Sequence, residues 1–344
     1  MTDETPLLET ENLKRYFDQD TGFLDAFLGG GSQPVQAVDG VSLALYENDS
    51  IGIIGESGCG KTTLLQTLAR LQEQTDGELR FEGNPISEFS KKEMKAFRRQ
   101  VQIIFQDPFN SFDPKLTVRE SLLEPLRIHG MDDRDRRVRE ALERAELNPP
   151  EKYLERRPTQ LSGGELQRVS IARALVLEPK VILADEPVSM LDVSTQASIL
   201  NLLSDLTAEL DVALLYISHD LSTVSYVCDR IDVMYLGRVV ESAPTHDLLD
   251  SPKHPYTQAL VNAIPIPDPH DDRERTTIDG TPGNPVGIGE GCRFRDRCPE
   301  RMDICERTPR NVSVDAENHR VACHLYYDHE EEQRRGEAIA EGQK

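Results

Sequence analysis

Ser50-Ile51-Gly52-Ile53-Ile54, Gly55-Glu56-Ser57-Gly58-Cys59-Gly60-Lys61-Thr62 and Thr63-Leu64-Leu65-Gln66-Thr67-Leu68-Ala69 follow one another without a gap. The first piece is a short apolar run that reads as a buried strand, and the last has the apolar spacing of a helix. Between them lies the pattern G-x-x-x-x-G-K-T. Strand, glycine loop and helix is the context in which that pattern folds around a phosphate. The glycines let backbone N–H groups turn inward, and the helix N-terminus adds a partial positive charge. The reading places Gly55, Ser57, Gly58, Cys59, Gly60, Lys61, Thr62 and Thr63 around a nucleotide phosphate chain. Lys61 reaches the β- and γ-phosphates, and the Thr62 hydroxyl ligates Mg²⁺.

A second strand carries the matching chemistry. Val181-Ile182-Leu183-Ala184 is apolar enough to be buried on both faces, and Asp185-Glu186 follows at its C-terminal end. In a chain this acidic, an Asp-Glu pair alone signifies little. Behind a buried strand, and in a chain with a phosphate loop, the pair acquires roles. Asp185 binds Mg²⁺, directly or through water, and Glu186 orients and deprotonates an attacking water.

Leu161-Ser162-Gly163-Gly164-Glu165 opens a further helix through Leu166-Gln167-Arg168-Val169-Ser170-Ile171-Ala172. With this stretch the chain resembles an ATP-binding-cassette ATPase. The resemblance implies an α/β fold: a P-loop NTPase core, an antiparallel β subdomain and an inserted helical subdomain. It implies that Ser162, Gly163 and Gly164 cap the γ-phosphate held by a partner subunit's phosphate loop. It further implies that Gln106 senses the γ-phosphate and Mg²⁺, that Asp192 acts across the dimer, and that His219 contacts the γ-phosphate. An aromatic ring stacks on adenine in this family; Phe17 fits best here, with Tyr16 as the alternative. Glu165 stands where the family commonly has Gln.

Length, charge and composition agree with such a machine. The 344 residues allow one large domain and an appendage, and the 38% hydrophobic content suffices for a core. No run approaches the roughly 18 apolar residues of a membrane span, and the acidic start Met1-Thr2-Asp3-Glu4-Thr5 lacks the features of a signal peptide. A cytosolic protein is expected. The net charge of −22 repels phosphate backbones, so no nucleic-acid partner is expected. Arg134, Arg136, Arg137 and Arg139 cluster, but Asp132, Asp133, Asp135 and Glu140 interleave with them, as on a solvated helix face. The acidic, Lys-poor balance also suits a salt-rich cytoplasm.

Residues 1 to about 90 read as short strands around the phosphate loop, with Gly29-Gly30-Gly31-Ser32 as a flexible insert before Val35. Helices are predicted from Thr117 to His129 and from Asp133 to Glu146, within a helical subdomain of about 107–178. The α/β pattern resumes to roughly residue 240, and one set of motifs implies that a partner completes each site.

Phe105-Gln106-Asp107-Pro108 with Ser111-Phe112-Asp113-Pro114 and Thr117-Val118, and His254-Pro255-Tyr256-Thr257-Gln258-Ala259-Leu260 followed by Ala263-Ile264-Pro265, narrow the resemblance to the dipeptide and oligopeptide permease ATPases, up to about Leu325. The likeness implies a nucleotide-binding domain over 1–265 and an extension over 266–327; the charged composition of 328–344 predicts a disordered tail. It implies uptake of peptides or a related solute. The implied partners are a second ATPase subunit, with a heterodimer favoured, two membrane permease subunits and an external solute-binding protein. The chain would sit peripherally on the cytoplasmic side of the plasma membrane. The competing class is a soluble cassette ATPase acting on ribosomes or DNA; the two cassettes, long coiled coils or basic patches usual there are not visible.

Of six cysteines, Cys292, Cys298, Cys305 and Cys323 fall in the extension. A reducing cytosol disfavours structural disulfides, and the paired C-x₂-C of most zinc sites is absent. A Zn²⁺ site, free thiols and an iron–sulfur site all remain open from the residues alone. The resembling permease ATPases carry these cysteines in this place, some with a [4Fe–4S] cluster, which four thiolates ligate.

Overall fold

A computed structural model describes residues 5–18, 33–264, 278, 280–281, 283, 285–314 and 318–327. In chain order the elements are β1 (Leu8–Phe17), β2 (Val35–Leu45), β3 (Ser50–Ile54), α1 (Lys61–Leu68), β4 (Asp76–Phe81), β5 (Asn84–Pro85), α2 (Lys91–Gln100) and β6 (Val101–Ile104). Four helices follow: α3 (Val118–His129), α4 (Arg134–Arg144), α5 (Glu151–Leu154) and α6 (Gly163–Leu175). The α/β alternation resumes with β7 (Val181–Asp185), α7 (Val193–Leu210), β8 (Ala213–Ser218), α8 (Leu221–Val227), β9 (Arg230–Tyr235) and β10 (Arg238–Pro244). The chain closes with α9 (Thr245–Asp250), α10 (Pro255–Asn262), β11 (Asn311–Ser313) and β12 (Arg320–Ala322).

Two sheets result. A small antiparallel sheet has the order β2-β1-β4-β5, and the main sheet has the order β11-β12-β10-β9-β3-β8-β7-β6. Strands β9, β3, β8, β7 and β6 run parallel. Their apolar runs are buried on both faces, which is what a covered parallel sheet requires: every residue of β3, β7 and β8 is buried. Helix α1 buries Leu64, Leu65 and Leu68 completely, each stabilising the fold by roughly 1.5–3 kcal/mol.

The predicted helices form with small shifts at their ends. Thr117 is the N-cap of α3 rather than its first residue: its hydroxyl accepts from Glu120 N, and Glu120 reaches back to Thr117 N. Helix α4 stops at Arg144 because the chain turns left-handed at Glu146 (φ 58°). The arginines of α4 are taken up locally, with Arg136 on Glu140 at 2.8 Å and Arg137 on Glu178 at 2.8 Å. Strands β11 and β12 attach to the main sheet by antiparallel pairing of Val321 with Glu241. The 29–32 insert, the 328–344 tail and residues 265–277 lie outside the described residues. Among the described residues, no helix is long and apolar enough to cross a membrane.

Candidate functional site

Parallel strands deliver their C-terminal ends to one edge of the sheet, where ligands of such sheets collect. β3 ends at Ile54, immediately before Gly55; β7 ends at Asp185, before Glu186; β8 ends at Ser218, before His219; β6 ends at Ile104, two residues before Gln106. A cavity of about 570 Å³ opens there, lined by Phe17, Ser57, Gly58, Gly60, Lys61, Thr62, Thr63, Gln106, Glu186 and His219, with Val35 and Ala37 on its wall. A larger cleft of about 810 Å³, lined by Lys14, Asp39, Arg230, Arg238 and Arg320 among others, contains no phosphate-loop residue.

The loop is held by its own carbonyls and by close packing. Lys61 is buried and its Nζ donates to Gly55 O (2.7 Å) and Glu56 O (3.1 Å). Gly60 caps α1 at φ 106°, and a Cβ there would stand 1.9 Å from Ala37 O, so only glycine closes this turn. Cys59 points away from the cavity into the core, and burial pushes its thiol pKa up. Gly55 also lies outside the lining and contributes its carbonyl.

Asp185 is buried and does not line the cavity; it accepts from the lining residue Thr62, whose Oγ1 donates to Asp185 Oδ1 at 3.3 Å. Burial pushes the Asp185 carboxyl above its ordinary range and the Glu186 charge adds to this, while the bonded Thr62 hydroxyl opposes it. Glu186 Oε2 accepts from Gln106 Nε2 at 3.0 Å, and Glu186 Oε1 lies 2.9 Å from His219 Nδ1. Gln106 Nε2 also reaches Ser189 Oγ at 3.4 Å, a contact that no motif pointed to. Phe17 lines the cavity, whereas the Tyr16 hydroxyl bonds to Asp39 and is absent from the lining.

Ser162, Gly163, Gly164 and Asp192 are not brought to this cavity. Ser162 is exposed and caps α6 in a reciprocal box: Glu165 N donates to Ser162 Oγ at 3.3 Å, and Ser162 N to Glu165 Oε2 at 2.9 Å. Glu165 therefore serves the cap. The Ser162 backbone bond holds its carboxyl below the usual range. Gly164 allows α7 to approach, since a Cβ there would stand 2.4 Å from Thr195 Cγ2. Asp192 caps α7 and accepts from Thr195 N (3.1 Å), Ser194 Oγ (2.6 Å) and Thr195 Oγ1 (2.7 Å).

The four cysteines of the extension share one neighbourhood. Cys292 N donates to Cys305 O at 2.9 Å. Burial raises the Cys292 thiol to about 11 and the Cys323 thiol to about 12, and the neighbouring sulfurs add to both shifts. Even so, among the described residues no three His, Cys, Asp or Glu side chains converge as a metal requires. The expected Cys₄ set is thus gathered but not closed.

Two residues that sequence reasoning missed hold the loop from behind. Glu56 N donates to the Tyr256 hydroxyl at 2.9 Å, and Arg297 pairs with the Glu56 carboxylate. Tyr256 lies within the His254–Leu260 stretch, and nothing in its spacing assigns it to the phosphate loop.

Comparison with known proteins places these features together. A family model described as "ABC transporter" matches residues 38–189, and one described as "Oligopeptide/dipeptide transporter, C-terminal region" matches residues 240–305. The chain is 42% identical over 326 residues to the oligopeptide transport ATP-binding protein AppF of Bacillus subtilis, covering 93% of this chain and 97% of that protein. Among solved structures, the dimeric bacterial ABC transporter cassette MJ0796 is 29% identical with a TM-score of 0.60, over 69% of this chain and 98% of that one. The same cassette in a post-hydrolysis state bound to ADP and Pi is 30% identical with a TM-score of 0.59, over the same shares.

Proposed function

Because this chain belongs to the ATP-binding-cassette ATPases of oligopeptide and dipeptide transporters, we propose that it is the subunit whose ATP hydrolysis drives peptide uptake through membrane partners. The observation that carries this is the meeting of Glu186, Gln106 and His219 opposite Lys61 and Thr62 in one cavity.

The loop N–H groups and Lys61 bind the phosphate chain, and Phe17 at the cavity wall offers a face to adenine. Glu186 is the general base for the attacking water. Gln106 bonds one of its oxygens and His219 the other, which fixes the plane of the carboxylate in the cavity. Thr62, Asp185 and Gln106 would hold Mg²⁺, which neutralises charge developing on the phosphates.

Exposed at the tip of α6, Ser162 is free to face a second cassette. There its hydroxyl, the glycine N–H groups of 163 and 164 and the helix dipole would meet the partner's γ-phosphate. Asp192 lies on the same surface. A heterodimer beneath two permease subunits, fed by an external binding protein, is the assembly this reading calls for. It puts the chain peripherally at the cytoplasmic face.

The extension belongs to the proposal as a [4Fe–4S] site on Cys292, Cys298, Cys305 and Cys323, with Zn²⁺ as the other candidate. Its support is donor chemistry and neighbourhood, four thiols in one short segment.

A tagged full chain, purified from its own cells in detergent, tests the reading. Integral membrane proteins should co-purify, and ATPase activity in liposomes should rise with a peptide-loaded binding protein. Recovery with ribosomes and without membrane proteins would overturn it.

A further inference from the structure

The cysteine-bearing segment and the phosphate loop look independent in sequence, about 235 residues apart, yet the structure joins them. Arg297, next to Cys298, donates from Nη1 to Glu56 Oε2 at 2.8 Å and from Nη2 to Glu56 Oε1 at 3.0 Å. This two-pronged geometry is the strong form of the Arg–carboxylate pair. The arginine side chain is 9% exposed and that of Glu56 26%. Glu56 is the second residue of the loop, and its backbone carries much of the loop's bonding. Its N–H donates to the Tyr256 hydroxyl, and its carbonyl accepts from Cys59 N and Lys61 Nζ. Glu56 does not line the cavity, so Arg297 grips the loop from outside.

The same segment is wedged in place beside this pair. Phe294 is fully buried, with its ring centroid 5.3 Å from that of Tyr235 and 5.4 Å from that of Tyr256. Arg293 donates to Asp39 Oδ2 and Gln36 Oε1, both at 2.5 Å, on the strand that supplies the cavity wall. A 3₁₀ turn over Arg295–Arg297 fixes the arginine between Cys292 and Cys298.

We infer that residues 291–307 are a positioning element for the phosphate loop: through Arg297 and Glu56 they set the loop's affinity for nucleotide, so that folding of the cysteine segment and ATP binding are linked. A loop that binds phosphate with backbone N–H groups either holds its curvature beforehand or loses affinity to ordering on binding. An external grip on Glu56 provides that curvature. Linkage is reciprocal, so bound nucleotide in turn steadies the segment. The inference rests on reading residues 55–62 as the nucleotide site.

The test uses the full chain, titrated with a fluorescent ATP analogue and Mg²⁺. Arg297→Ala and Glu56→Ala should each weaken binding roughly three- to tenfold, and the double variant should be no weaker than the weaker single, as for two residues acting through one contact. In the assembled transporter Arg297→Ala should raise KM for ATP with kcat within about twofold, as for lost uniform binding. In hydrogen exchange, nucleotide should slow the amides of 291–307 in the wild type but not in Arg297→Ala. Arg297→Lys keeps the charge and loses the fork; its loss should be intermediate, which covers the case of an unstable alanine variant. Unchanged affinity in Arg297→Ala and Arg297→Lys would overturn the inference, as would losses that multiply in the double variant or a fall confined to kcat. Lys61→Ala separates the two readings. If it binds normally, the nucleotide site falls and the inference with it. If it fails to bind while Arg297→Ala binds normally, the inference alone falls.

Discussion

His219 Nδ1 lies 2.9 Å from Glu186 Oε1, and the Glu186 backbone stands at φ 44°, a left-handed angle uncommon outside glycine. The strain is held by Glu186 N–H donating to Ile217 O at 2.9 Å, which ties the residue to the strand that delivers His219. Replacing Glu186 by Gln keeps shape and hydrogen bonding but removes the base. ATP should still bind, turnover should fall by roughly 10² or more, and the ATP-bound closed dimer should accumulate. Wild-type phosphate release by the assembled transporter carrying Glu186→Gln would take the residue out of its role.

The proposal gives Ser162 a second job beside its helix cap, and substitution can separate the two. Ser162→Ala removes a helix cap and should cost about 1 kcal/mol in denaturant unfolding. Ser162→Arg adds a bulky cation where, on the proposal, the partner's nucleotide docks. The isolated chain should still bind nucleotide, because its own loop is untouched, while ATPase activity of the complex should fall well below that of Ser162→Ala. Loss of nucleotide binding by the isolated Ser162→Arg chain would contradict a role at the partner's site.

Acid should loosen the fold through His254. Burial lowers its pKa to about 3, and its Nδ1 accepts from Tyr256 N at 3.1 Å, which requires the neutral ring. Its native pKa lies below the unfolded value of about 6.5, so the unfolded chain binds the extra proton. This contribution is constant above about pH 6.5 and destabilises progressively as the pH falls toward 3. At pH 5 it amounts to about 2 kcal/mol. His254→Asn, which keeps a capping side chain, should flatten the melting temperature between pH 7.5 and pH 5. An unchanged slope would show that other groups carry the acid sensitivity.

The extension makes a visible prediction. Protein purified without oxygen should be brown and hold about four irons per chain, and Cys298→Ser should bleach it. A colourless anaerobic preparation with one zinc per chain would sink the cluster and leave a four-cysteine metal site. Through the neighbouring Arg297, Cys298→Ser should also weaken nucleotide binding, which a wholly separate appendage would not do.

The core of the site was legible because it is local. Gly60 and Lys61 sit within one loop, and Glu186 and His219 each lie just past a short apolar run that reads as a buried strand. Sequence distance hid the rest. That Gln106 and His219 take opposite oxygens of Glu186 depends on the order β3-β8-β7-β6, which no single run encodes. That Tyr16 turns to Asp39 and leaves the cavity wall to Phe17 depends on strand register, where one residue reverses a side chain. The helix ends moved by one or two residues because caps such as Thr117 lie just outside the apolar pattern.

β12 covers the side of β10 that β9 leaves open, and His319 closes over the buried Glu241 carboxylate at 2.6 Å. A cassette trimmed after α10, as a minimal catalytic fragment would be drawn, would present a bare row of β10 N–H and C=O groups to solvent. Such an edge recruits strands from other molecules. Strands β11 and β12 thus act as a hem on the sheet, whatever the cysteines around them hold.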